Sequence, residues 1–539
     1  MTFKYSRLLA IVLCGGAFTL TARAQSGDSI NWRNFSYIQQ SEAWFHSENA
    51  AGLSHLPVGR ISVAEAFFEK QKGELADYYQ SDNSYKWGAA TESYYRLNPR
   101  VVFYGKVSYD NFTGKGMAGS AFINPDEAPF DIMEFSDENR GEKNLENYHL
   151  VGALSGKLSD RWTLGAKLDF TAANYAKDKD LRHQNKLLDM YVTAGATYRL
   201  CSALEVGANY YYRRSTEGLS FDTYGDTDKT YISLISYGAM MGRTEAFGSE
   251  GYTRDNYERP LFNEYQGGAL QLNWQPTSSF SWYNEFTYKS RDGYYGKKSP
   301  YTAILTDHNS DIFGYNAIFS LKEGKNRHDL NVTFRGEELE NYVNIYQTEN
   351  SGGGVTNVVY YGKLKAADKA TWLLGAEYTG NFGVTDYCPA WVIKGGATYS
   401  VRDTKASVYP YYRKQNLKMT DIHVSAERNL VRQKNLYNLL LGAAYHSGSG
   451  DAKEDGFYAT PSEGQQEPAG MDTYLYREYD YLTARQVKGE IGLKYVRALE
   501  NQDIKCHVSL RYEVRKAFDA EYLGNGLRHE VRLAVGCTF

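Results

Sequence analysis

Cysteine is scarce in this chain of 539 residues, and the five copies are scattered: Cys14, Cys201, Cys388, Cys506 and Cys537. No C-x-x-C or Cys/His spacing is present, so the pattern indicates neither a zinc site nor a disulfide-framework scaffold. Beyond the N-terminus there is no run of about 18 consecutive apolar residues, which excludes a membrane helix. The ordinary catalytic signatures are also missing. There is no G-x-S-x-G elbow, no H-E-x-x-H and no G-x-x-x-x-G-K-[ST] loop, and Gly524-Asn525-Gly526 is a turn signal. Excess positive charge is lacking too: the formal net charge of -4 is no footprint for nucleic acid. Mean hydropathy is -0.56, which would suggest a soluble protein if helices were the only way through a membrane. Strands escape that test, because only every second residue of a spanning strand has to be apolar.

What is present is alternation. Counting back from Phe539, the residues Cys537, Val535, Leu533 and Val531 are apolar, and between them lie Thr538, Gly536, Ala534, Arg532 and Glu530. A strand sends successive side chains to opposite faces, so this one has an oily face and a wet face. Such a strand ending on an aromatic resembles the closing strand of a bacterial outer-membrane barrel. Phe539, Val535 and Leu533 then read as the signal taken up by a barrel-assembly machinery. The same pattern fills 162–171, 188–200, 204–212, 487–495 and 504–514. With 48 Tyr, 24 Phe and 8 Trp, the chain also has the aromatics that suit a membrane–water interface. Short turns are expected at Asn98-Pro99, Ser159-Asp160, Cys201-Ser202, Pro276-Thr277, Glu323-Gly324 and around 498–502. Long polar loops are expected at 111–147, 175–186, 215–262, 292–310, 338–368 and 448–482. The expected fold is therefore all-β: a single transmembrane antiparallel barrel of about 18 strands (16–20), with short periplasmic turns and long extracellular loops.

The start of the chain agrees with its end. Lys4 and Arg7 precede an apolar run and then Ala22-Arg23-Ala24, the order of a secretory signal peptide over 1–24. Leu13 before Cys14 argues against a lipid anchor. Residues 25–57 lack alternation, could carry a short helix around Ile38 to Phe45, and read as a periplasmic segment or small plug; 58–539 read as the barrel. The expected location is the outer membrane of a Gram-negative cell, among outer-membrane lipids.

Three groups are candidates for function. Pairing 503–515 with 529–539 about their loop places Arg511 opposite Arg532, Glu513 opposite Glu530 and Arg515 opposite Arg528. Lys488, Glu490 and Lys494 of the neighbouring strand extend this lattice on the lumen face. It reads either as a salt-bridge network filling the barrel or as a basic stripe guiding an anionic solute. The same register sets Cys506 opposite Cys537 toward lipid, as small apolar fillers or as a cross-strand disulfide. Secondly, Tyr231-Ile232-Ser233-Leu234-Ile235-Ser236-Tyr237-Gly238-Ala239-Met240-Met241 is too apolar to lie bare outside a cell. It either forms a hairpin above the membrane or folds into the mouth, where Tyr231, Leu234, Tyr237 and Met240 would form a constriction. Thirdly, the charge-dense 177–186 reads as solvated surface or a contact at the outer mouth. His149, Asp169, Asp189 and His507 are conceivable acid–base groups, but no spacing supports catalysis, and no enzyme activity, metal or cofactor is expected.

Ser47 to Leu53, the Asn98-Pro99 hairpin, Lys177 to Lys186, and Tyr210-Tyr211-Tyr212-Arg213-Arg214-Ser215-Thr216-Glu217 together resemble an outer-membrane β-barrel family of Bacteroidota that carries only a domain-of-unknown-function label. The resemblance covers nearly the whole mature chain and implies a single barrel. It also implies the company of TonB-dependent receptors and surface lipoproteins as partners in uptake, and supplies no site residues. The resulting expectation is a channel or uptake component for small polar, in particular anionic, solutes. The alternative is a non-transporting scaffold that holds a lipoprotein or an extracellular ligand. Deleting Phe539 is expected to reduce assembled, heat-modifiable barrel at least tenfold, whereas Arg511→Ala leaves the yield within twofold. Equal insertion of both variants would overturn the terminal-strand reading.

Overall fold

The computed structural model describes residues 30–224, 228–255, 257–350, 356–499 and 503–539. The expected signal peptide and its cleavage site lie outside the described residues. In chain order the strands are β1 (Arg60–Lys72), β2 (Asn83–Asn98), β3 (Val101–Met117), β4 (Asp131–Glu134), β5 (Gly141–Lys157), β6 (Trp162–Lys177), β7 (Arg182–Cys201) and β8 (Leu204–Asp222). There follow β9 (Ile232–Gly238), β10 (Met241–Ala246), β11 (Arg259–Trp274), β12 (Phe280–Tyr295), β13 (Thr306–Glu323), β14 (Asn326–Asn350) and β15 (Thr356–Phe382). The last are β16 (Trp391–Val408), β17 (Tyr411–Arg432), β18 (Asn435–Phe457), β19 (Ala469–Gly470), β20 (Arg485–Ala498), β21 (Lys505–Phe518) and β22 (Leu527–Thr538). Among the described residues two α-helices are not part of the wall, α1 (Phe35–Ser41) and α2 (Asp472–Thr483).

Apart from β4, β9, β10 and β19, every strand pairs antiparallel with its chain neighbour, and β22 pairs with β1, closing an 18-stranded sheet. The terminal residue takes part in the seam: Phe539 N donates to Ser62 O at 3.0 Å and Ser62 N to Phe539 O at 2.8 Å. Period-two side chains explain why the sheet sits in lipid. The apolar set points outward and is exposed, up to 66% for Leu270 and 59% for Phe286, with Leu188, Leu374, Val424, Leu493, Leu510, Leu533 and Val535 around the same belt. A water-soluble protein does not carry an apolar belt of that extent. Near the short turns an aromatic girdle runs through Trp162–Tyr198 (4.7 Å), Trp274–Trp282 (6.5 Å) and Trp282–Phe319 (5.6 Å), as at a membrane interface.

Two loop expectations are corrected. The stretch 175–186 is not a long loop, because β6 continues to Lys177 and β7 begins at Arg182; most of 338–368 likewise belongs to β14 and β15, of 25 and 27 residues. These strands run far past the roughly ten residues that cross a bilayer. Above the membrane both of their faces are wet, so alternation fades while pairing continues. Tyr409-Pro410 is the tight connection between β16 and β17.

Residues 30–58 lie inside the barrel at its short-turn end. Asn34 caps α1 by accepting from Tyr37 N at 3.0 Å. Ile38, Leu53 and Leu56 pack on Tyr94, Val102 and Ala153 of one wall, and Trp44 packs on Tyr283 and Ile318 of another. Asn49 Nδ2 donates to Ala196 O (3.1 Å) and Gln271 Oε1 (3.0 Å), and Ser155 Oγ donates to Ala51 O (3.0 Å). Gly165 makes this docking possible, since a Cβ there would stand 2.0 Å from Ala51 N. Gly165→Val is therefore expected to weaken the seating of 30–58 by about 1–3 kcal/mol, the usual cost of overpacking. Limited proteolysis from the periplasmic side checks it, with faster cleavage within 30–58 than in the unsubstituted barrel.

Candidate extracellular stopper and lumen wall

A second, four-stranded sheet in the order β19-β10-β9-β4 fills the opposite mouth. The apolar run supplies its centre, and both faces are covered. Tyr231, Ile235 and Tyr237 join Phe122, Phe130, Tyr295, Ala367 and Ala406 in one core; Leu234 and Met240 join Met133, Tyr474 and Leu475 in another. The run is thus a hairpin, and that hairpin lies in the mouth. Its tip turns through Ala239 and Met240 with φ of 43° and 52°, the mirror-type turn that suits strand twist. A Cβ on Gly238, whose φ is 143°, would stand 2.4 Å from Thr404 Cγ2, so the tip abuts the β16 wall.

Cations on the wall bolt this stopper down by its main chain. Lys143 Nζ donates to Ser120 O (2.6 Å), Arg291 to Glu127 O (3.0 Å), Lys369 Nζ to Ala128 O (3.0 Å) and Arg413 to Ala239 O (3.2 Å). Lys177 pairs with Glu134, and Arg402 with Glu478 of α2 at 2.7 Å. Of these only Lys177 stood out in the sequence, within the charge-dense 177–186; the others were missed because buried cations on strand extensions look like surface charges. Parity carried beyond the membrane edge would have found Lys143, which shares the inward face of β5 with His149. The charge-dense 177–186 is the end of β6, a turn over 178–181 and the start of β7: Arg182 reaches Asp180 at 2.8 Å, and Lys186 reaches Glu258 at 3.5 Å.

The lumen is filled unevenly. On the side of β5 to β13 the charges are covered, with Arg291 only 3% exposed. Lower on the wall, between β17 and β22, part of the face is wet: Arg511 is 49% and Asp421 54% exposed, whereas Lys369, Arg402 and Arg413 above them are covered by the stopper and α2. This wet lane carries the charge lattice. Arg511 stands opposite Arg532, Glu513 opposite Glu530, and Arg515 opposite Arg528. Like charges face each other across the strands, and cross-pairs relieve them: Arg511–Glu490 at 2.8 Å, Lys488–Glu513 at 2.6 Å and Arg515–Glu513 at 3.0 Å. The seam strand β1 adds acids, with Glu65 taking Arg532 at 3.2 Å and His507 at 3.1 Å. Glu69 stands directly opposite Arg532, so Glu65 and Glu69 of β1 match the basic excess of β20 to β22, and Gln71 donates to both Glu69 and Glu530. Lys494 lies nearer the periplasm, opposite Ser509. At the upper end Gln71, Gln80, Tyr481, Glu513, Arg515, Arg528 and Glu530 enclose a cavity of 170 Å³. The lattice and the stopper hairpin occupy different walls and do not form one site; Phe539, Val535 and Leu533 face outward.

No triad emerges from the acid–base candidates. His149 Nε2 lies 2.7 Å from Asp169, while Asp189 is held by Arg213 and His507 by Glu65. Among the described residues no hydroxyl is hydrogen-bonded to the His149–Asp169 pair, and no cluster of three metal-ligating side chains occurs.

The matched span decides the family. The chain belongs to a family of unknown function, DUF6850, over residues 50–539. No curated protein matches it significantly. Among solved structures it is similar to the RagAB peptide importer in its closed-closed state (8% identity, TM-score 0.41, covering 90% of this chain and 87% of that one). It is similar to the outer membrane transporter YddB from Escherichia coli (9%, 0.40, 89% and 81%) and to a Pseudomonas aeruginosa FadL homologue (10%, 0.32, 96% and 98%).

Asp131 of β4 is a titratable group inside the stopper. It accepts from Ser120 Oγ (2.6 Å), Tyr78 OH (3.0 Å) and Ile132 N (2.7 Å), and burial pushes its carboxyl up to about 6. A raised acid pKa means the docked stopper binds a proton more readily than a released loop. Docking is therefore tightest at low pH and weakens as pH rises through about 6, by the linkage between proton binding and stability. Protease sensitivity of 118–134 is expected to increase between pH 5 and pH 7 in the native barrel and to rise less in Asp131→Asn, which keeps the Glu217 carboxylate that accepts from Ile123 N.

Proposed function

We propose that this barrel is a gated outer-membrane uptake component or channel for small polar solutes, anionic ones in particular. The observation that carries the reading is the uneven lumen: a wet, charge-lined lane along β20 to β22 and β1, beside a mouth packed by the chain's own segments. A wall of paired charges suits transit, since solutes are met by both signs and held tightly by neither. The hairpin of β9 and β10 acts as the gate, with Tyr231, Leu234, Tyr237 and Met240 as its apolar body, and residues 30–58 act as a plug at the periplasmic end. In a Bacteroidota outer membrane, as the resemblance implies, a surface lipoprotein or a TonB-dependent receptor would be the partner that moves the gate.

A second reading, a non-transporting scaffold, is favoured by the number of bolts from different walls that hold the stopper. Planar-bilayer recording separates the two. The native barrel is expected to show little steady conductance, and deletion of 231–246 to raise it at least fivefold, with a reversal potential in a salt gradient that shifts toward cation preference in Arg511→Glu. Heat modifiability verifies that each variant is folded. A folded deletion variant that stays silent would establish the scaffold reading instead.

A further inference from the structure

The last hairpin brings two cysteines together at its periplasmic end. Cys506 of β21 and Cys537 of β22 are direct register partners, and their Sγ atoms stand 2.6 Å apart as free thiols. The pairing geometry favours a bond. Phe539 exchanges both of its backbone hydrogen bonds with Ser62 across the seam. Residues of the same parity on β22 therefore turn their N–H and C=O toward β1, and Cys537 is among them. On the other edge Ala517 N donates to Gly526 O, which makes the odd-numbered positions of β21 the hydrogen-bonded ones. Cys506 and Cys537 thus form a non-hydrogen-bonded pair, the kind whose Cα atoms approach to about 4.5 Å, within the range that a disulfide spans. Cys201 and Cys388 occupy two other short-turn connections, at the end of β7 and between β15 and β16.

We infer that Cys506 and Cys537 are joined by a disulfide in the mature protein. The chain reaches its membrane through the periplasm, where disulfides form and persist. The oxidant is the disulfide of a periplasmic dithiol oxidase. One cysteine thiolate attacks it to give a mixed disulfide and release one oxidase thiolate. The second cysteine thiolate then attacks the mixed disulfide at the first cysteine's sulfur, forming the Cys506–Cys537 bond and releasing the second oxidase thiolate. Two protons and two electrons leave the barrel, and the oxidase is reduced to its dithiol. The bond clasps β22 to β21 two residues from the terminus, holding one edge of the closing strand while its other edge forms the seam with β1.

Protein isolated from the outer membrane without reductant, denatured and labelled with a maleimide, should expose two fewer reactive thiols than the same sample after reduction. Peptide mapping of the unreduced sample should yield one linked pair carrying Cys506 and Cys537, and Cys506→Ser should leave Cys537 reactive without reduction. Labelling of all four mature cysteines before reduction, or a linked pair that contains Cys201 or Cys388, would overturn the assignment. The labelling and mapping of the unsubstituted protein decide the matter even if the serine variant fails to assemble.

Discussion

Everything in this molecule rests on the closure of one sheet. In hydrocarbon an unpaired backbone N–H or C=O has no water to turn to and costs several kcal/mol, so a sheet can cross a membrane only by having no edge. The seam between β1 and β22 removes the last edge, down to the reciprocal bonds between Ser62 and Phe539. Once the wall is closed, the two faces of every strand meet different solvents. Leu533 and Val535 can face lipid, while Arg532, one step away, faces water and Glu65. The charges of the interior are tolerable only because the seam keeps lipid out.

A closed wall leaves the opposite difficulty, an interior wide enough to need filling. Two parts of the chain fill it by different means. Residues 30–58 enter with apolar contacts and rely on close approach at Gly165, whereas the outer stopper adds to its apolar cores a set of wall cations on its main-chain carbonyls. A lysine bound to a carbonyl is worth little net when water can take the carbonyl's place, since one hydrogen bond is exchanged for another. Wall cations facing a wettable lumen therefore position the stopper accurately without locking it, which a gate requires. The apolar cores around Phe122, Tyr237 and Tyr295 supply the closing force, and the cations supply the register.

The wall was legible in the sequence and its contents were not, for one reason. Period-two alternation is imposed by lipid on one face, so 162–171, 188–200 and the terminal strand declare themselves, as do strand number and the pairing of 503–515 with 529–539. Nothing imposes a period on side chains that meet folded loop instead of lipid or bulk water. Lys143 and Lys177 look like surface residues yet are buried beneath the stopper. The apolar run 231–241 announced burial, but its turn at Ala239-Met240 carries no Asn-Gly signal, so hairpin and constriction stood as alternatives. The stopper loop 118–130 has only Phe122, Ile123 and Phe130 to mark it, three large apolar residues among small and polar ones and two prolines.

The lattice shows how the seam and the charged lumen wall are connected. Read from β20 to β22 alone it is basic, with Arg511 facing Arg532 and Arg515 facing Arg528. Closure brings the strand at the other end of the chain alongside, and β1 contributes Glu65 and Glu69. Diagonal pairing then converts a repulsive column into an alternating one, because neighbours one step along the strands carry opposite sign. Under the proposed channel role, an anion in the lane would displace a carboxylate from Arg511, Arg515 or Arg532, and every displaced carboxylate would stay near enough to return. Such a surface lowers the barrier to entry without creating a deep well, the balance that conduction demands of a pore wall. The residues that would govern passage are thus supplied by both ends of the chain, and the lane acquires its character only when the barrel closes.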